Sequence, residues 1–155
     1  MTTRRQATRY SLTALALVAA AAFSGCSMMK PDAPSNLVAF STQLRGTNEV
    51  PANTSAGTGS VDAVLNKDTS LLRWKVNYSG LTGPATMAHF HGPANASTNA
   101  GVALAWPAPV ISPMEGSATL TAAQMADLLA GRWYANIHTA AHPGGEVRGQ
   151  MMVRN

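Results

Sequence analysis

Beyond about residue 36 the chain alternates apolar and polar side chains in short runs. Val38, Phe40, Thr42 and Leu44 interleave with Ala39, Ser41 and Gln43, the period of two expected for a strand with one face in a core. Residues 61–65 begin a second run, and Asn66, Lys67, Asp68 and Thr69 read as a turn. Leu72, Trp74, Val76 and Tyr78 then alternate with Arg73, Lys75 and Asn77, the cleanest amphipathic strand of the chain. Residues 86–91, 102–106, 133–138 and 146–153 carry the same pattern; in the last, Val147, Met151 and Val153 fall opposite Glu146, Arg148 and Gln150. Stretches rich in Gly, Pro, Asn and Ser at 46–59, 79–84 and 92–99 separate the runs as loops. One segment departs from the period of two. Thr121 stands three residues before Gln124 in the form of a capping box, Met125, Leu128 and Leu129 follow at helical spacing, and Gly131 is the stop. The pattern predicts an all-β fold, an antiparallel β-sandwich or barrel with one short inserted helix.

The first residues follow a different rule. Arg4, Arg5 and Arg9 precede an almost wholly apolar stretch, residues 12–23, which closes on Ser24 and Gly25 before Cys26. This is the order of a secretory signal, too short to span a bilayer comfortably. The ending Phe-Ser-Gly-Cys resembles the lipobox of bacterial lipoproteins, with an aromatic at its first position. Residues 1–25 are therefore expected to be a signal peptide of the lipoprotein type, Cys26 the lipid-bearing residue, 26–36 a flexible tether with Pro31 and Pro34, and 37–155 one domain. The alternative is an ordinary signal peptide that takes Cys26 with it. Either way the protein is expected to be exported, and with the lipid it is membrane-anchored in the cell envelope, facing the periplasm or the cell surface.

Removing the leader changes the charge. Of 11 basic and 7 acidic side chains, three basic ones lie in the leader, leaving 8 against 7, a net +1. No basic run interleaved with aromatics remains, so no nucleic-acid partner is expected. A single cysteine excludes an intramolecular disulfide.

All four histidines fall in AHFHGP, residues 88–93, and YANIHTAAHPGGEVRGQ, residues 134–150. His89 and His91 share one side of a strand with Met87, opposite Ala88 and Phe90. With Phe90 in the core, both imidazoles point out of it. His89, His91 and His138, with His142 as an optional fourth, form a candidate set for copper, zinc being the alternative. Metal–nitrogen bonds of ~2.0 to 2.1 Å then require the ring nitrogens to lie within roughly 3 to 4.5 Å of one another. Met87 either adds a thioether for copper(I) or fills a core gap. Glu146, Arg148 and Asn136 are expected on the same side, where they can pair or orient a ligand imidazole by accepting its N–H. The competing reading has the histidines bonding turn carbonyls with no ion. No nucleophile elbow, phosphate-cradling loop or Ser-His-Asp order is present, so catalysis is the least expected role.

Five segments, LRGTNEVP at 44–51, AHFHGP at 88–93, LTAAQMADLLAG at 120–131, YANIHT at 134–139 and GEVRGQ at 145–150, resemble the CHRD domain in order and spacing over about residues 37–153. The resemblance implies an immunoglobulin-like sandwich in an exported protein. His89, His91 and His138 match the family pattern, and His142 stands where members vary. Two roles follow as expectations: an envelope protein holding a metal ion, or a metal-free module contacting protein or polysaccharide through an exposed apolar patch.

Overall fold

The structure, a computed structural model, describes residues 36–154. The expected signal peptide, Cys26 and all of the expected tether except Asn36 lie outside the described residues. Nine strands and one α-helix follow in the order β1 (Leu37–Arg45), β2 (Thr58–Asn66), β3 (Leu71–Ser79), β4 (Ala85–His91), β5 (Val102–Ala105), β6 (Met114–Thr119), α1 (Ala122–Leu129), β7 (Tyr134–Thr139), β8 (Val147–Gln150) and β9 (Met152–Val153). All described pairings are antiparallel.

One sheet in the order β5-β4-β7-β8-β1-β2-β3-β6 carries the fold. Its two halves meet where β8 and then β9 run along β1 in one register, from Arg148 opposite Arg45 to Val153 opposite Phe40. The sheet curls so that distant strands face each other. Trp74 on β3 meets Phe90 on β4 edge to face at 5.4 Å, and Trp106 lies 6.4 Å from Trp74. The space between fills with alternate residues of each strand: Phe40, Leu44, Val61, Leu65 and Val76 from one half, and Phe90, Ile137, Val147 and Trp133 from the other. Each large apolar side chain buried this way contributes roughly 1.5 to 3 kcal/mol.

Local chemistry sets the corners. Asn66 Oδ1 accepts from the N–H groups of Asp68 at 3.0 Å and Thr69 at 3.1 Å, closing the β2–β3 turn. The capping box forms as its spacing predicts, with Thr121 Oγ1 accepting from Gln124 N at 3.2 Å and Gln124 Oε1 accepting from Thr121 N at 2.9 Å. Gln124 Nε2 also donates to Ala103 O at 2.8 Å, docking the helix on β5.

One element departs from the hydrophobic pattern. β6 has little alternation to show for itself; it is a strand because it pairs with β3, and Gly116 leaves the space that the Trp74 ring occupies. The expected closing strand over 146–153 runs through Met151 without a register change: its N–H donates to Trp133 O at 2.9 Å as the next rung of the β7–β8 ladder, and Met152 and Val153 continue along β1 in the register that sets Arg148 opposite Arg45. Val147 and Met151 are buried, and Val153 lies on their face opposite Phe40 but is exposed where the strand ends.

Truncating Phe90 to Ala, at the contact between the halves, should cost about 3 to 5 kcal/mol in urea unfolding. Thr121→Ala should cost only about 1 kcal/mol, the loss of one cap.

Candidate metal centre

β4 and β7 lie side by side, and their inward residues Ala88, Phe90, Ala135 and Ile137 are core. Strand alternation therefore sends Met87, His89 and His91 of β4, and Tyr134, Asn136 and His138 of β7, to the outer face. The ladder sets Met87 opposite His138, His89 opposite Asn136 and His91 opposite Tyr134. His138 thus reaches His89 on the diagonal, and His89 Nδ1 stands 3.2 Å from His138 Nε2.

One ring nitrogen from each of His89, His91 and His138 lies within 4.8 Å of the others. The closest pair has almost the ~3.3 Å separation that tetrahedral angles and bonds of ~2.0 to 2.1 Å demand. The outer limit is wider than the expected 4.5 Å, so the three nitrogens could hold an ion only after a ring rotation; His89 is half-buried, His91 and His138 buried.

The other two rings are fixed. His91 Nδ1 is 3.0 Å from Ala100 O, and His138 Nδ1 is 2.9 Å from Pro143 O. A carbonyl only accepts, so both Nδ1 atoms carry hydrogen and both Nε2 atoms present lone pairs. Nε2 of His91 is buried and has no hydrogen-bond partner. This is how metal-binding imidazoles are oriented, with the non-ligating nitrogen tied down. Burial, together with the mutual repulsion of the clustered rings, holds the His89 and His138 pKa values below the usual 6.5, although the Pro143 carbonyl opposes the shift at His138.

Loops roof this face. Arg148 is 1% exposed, and its guanidinium donates to Asn99 Oδ1 at 2.7 Å, Thr98 O at 2.7 Å and Asn95 O at 3.2 Å. It also lies 3.5 Å over the Tyr134 ring, while His91 stacks on Tyr134 at 4.8 Å with 4° between planes. Asn99 Nδ2 donates to Val50 O at 2.7 Å, tying this loop to the one after β1.

The three supporting residues expected from the sequence divide. Arg148 supports His91, through the loop that carries Ala100 and through Tyr134. Glu146 is fully buried but touches neither a histidine nor Arg148: Ser55 Oγ, Thr139 Oγ1, Thr82 N and Thr82 Oγ1 donate to it at 2.6 to 2.8 Å. The expected Glu146–Arg148 pairing fails because Glu146 precedes the regular part of β8 and turns toward the end of β7. Asn136 is buried between His89 and Arg148 in the ladder, without bonding a ring. His142 stays out of the nitrogen group among the described residues; it stands in the loop after β7, its backbone bonded to Thr139.

Glu49 is the residue the alternation pattern missed. It is 7% exposed with Oε1 unpartnered, and burial pushes its pKa up to about 7 against the opposing pull of Arg148 and Asn136. Gly145 makes room for it, since a Cβ there would come within 2.5 Å of Glu49 Oε1 and 2.7 Å of Asn136 Nδ2, at a φ of +129°. Only its place in the LRGTNEVP segment marked it in the sequence.

The CHRD domain model matches residues 40–151. The chain belongs to the CHRD domain family. No curated protein and no solved structure matches it. The CHRD assignment covers every strand that carries a histidine of the group, so the cluster is a feature of the domain body and not of an appended segment.

Glu146 yields a pH prediction. Burial alone would raise its pKa, but hydrogen bonds from Ser55, Thr139 and Thr82 outweigh it and hold the carboxyl at about 2, below its ordinary 4.5. The unfolded chain therefore takes up the proton first, and the contribution, on the order of 3 kcal/mol, is complete above pH 4.5 and lost as pH falls toward 2. Urea titrations across this range should show that loss in the wild-type domain and a flatter acid limb in Glu146→Gln.

Proposed function

We propose that this CHRD domain binds one late first-row transition-metal ion, copper with zinc as the alternative, through His89, His91 and His138. The observation that supports it best is the pair of tautomers fixed by Ala100 O and Pro143 O, which leaves two Nε2 lone pairs directed to the same side as His89 Nδ1. Neutral imidazole suits both ions, and three nitrogens leave a coordination position open. Without an ion, burying the His91 Nε2 lone pair is a desolvation cost with nothing to offset it. The N-terminal pattern supports a place in the cell envelope, with a lipid on Cys26 holding the domain to a membrane that faces the periplasm or the cell surface. The domain is then a tethered metal-binding protein rather than an enzyme.

Elemental analysis after copper or zinc loading should find one ion per chain. The His89→Ala, His91→Ala double variant should lose it, whereas His142→Ala should keep it; a double variant with unchanged copper affinity overturns the reading. Because two of the ligand rings hold pKa values below 6.5, affinity should be level above about pH 6.5 and weaken only below it, as protons displace the ion.

A further inference from the structure

We propose that Met87 supplies a fourth, sulfur ligand and that the centre is thereby suited to copper(I); this rests on the three-histidine reading above. A methionine on a strand ordinarily packs into the core, but Met87 does not. It is 47% exposed and stands apart from the hydrophobic cluster. Its thioether therefore lies outside the core and is accessible from the outer face.

That place is beside two of the three ligand residues. Met87 precedes His89 by two positions on the outer face of β4, and it is the ladder partner of His138 on β7. Two strand rises separate its Cα from that of His89 by about 7 Å, a gap that an unbranched side chain with three rotatable bonds can bridge toward a shared ion. The other approaches are closed: Tyr134 stacks on His91, the 92–101 loop covers that end through Ala100, and Pro143 fixes His138 from the far side. The open side of the nitrogen group is the one bordered by half-buried His89 and exposed Met87.

The chemistry then selects the ion. A thioether is soft and adds affinity for copper(I), whereas zinc gains little from it beside imidazole. The four donors carry no net charge, so a monovalent ion also brings the least uncompensated charge into a partly desolvated site.

The test uses the Met87→Leu variant, which keeps the size of an exposed side chain and removes only the sulfur. Copper(I) affinity is measured anaerobically by competition with a chromogenic copper(I) chelator, and zinc affinity in parallel. Met87→Leu is expected to weaken copper(I) binding at least tenfold and leave zinc binding within about twofold. Met152→Leu, which removes another exposed methionine, should change neither. X-ray absorption of the copper(I) form should show one sulfur neighbour, absent from Met87→Leu. Unchanged copper(I) affinity in Met87→Leu, or no sulfur neighbour in the wild-type protein, overturns the proposal with the histidine centre intact. Copper(I) affinity that survives the His89→Ala, His91→Ala double variant instead removes the histidine centre, and Met87's role with it.

Discussion

A guanidinium shut away from water is the constraint around which the outer face is arranged. Arg148 cannot be deprotonated at any ordinary pH, so its burial is tolerable only if its donors find acceptors. The acceptors come from the 92–101 loop, and supplying them requires that loop to lie down over β7 and β8. Once there, the loop brings Ala100 O to His91 Nδ1. The same guanidinium covers one side of Tyr134, whose ring packs on His91, a desolvated cation–π contact that contributes up to ~2 kcal/mol. Charge burial, loop conformation and imidazole tautomer are thus successive links of one chain of cause.

The outer face is in effect a second interior, built from polar groups. Its two carboxylates, Glu146 next to Gly145 in sequence and Glu49 against it in space, meet opposite fates. Glu146 receives four donors and stays ionised; Glu49 has an unpartnered oxygen and holds its proton to about pH 7. Burial is common to both, and the number of donors decides between them. Neither carboxylate enters the nitrogen group, which keeps that group a neutral-donor site.

Much of this was legible in the chain. The period of two placed the strands and the outward side of His89, His91 and His138, and the Thr121–Gln124 spacing placed the helix, because each is a local pattern. What escaped notice was set by partners distant in sequence. β6 is recruited by β3 and by a gap above Trp74, and Glu146 is claimed by hydroxyls from two other loops. The i and i+2 spacing of Glu146 and Arg148 predicted a shared face and therefore a pairing. It carried no information on where regular pairing of the strand begins.

The anchors of His91 and His138 are main-chain oxygens, those of Ala100 and Pro143. Every amino acid brings the same carbonyl, so substitution at those two positions leaves both ring orientations in place as long as the backbone path is kept. The centre is accordingly indifferent to the identity of its nearest supports and sensitive to loop length: an inserted or deleted residue between β4 and β5, or between β7 and β8, would swing an oxygen away and release the ring it holds.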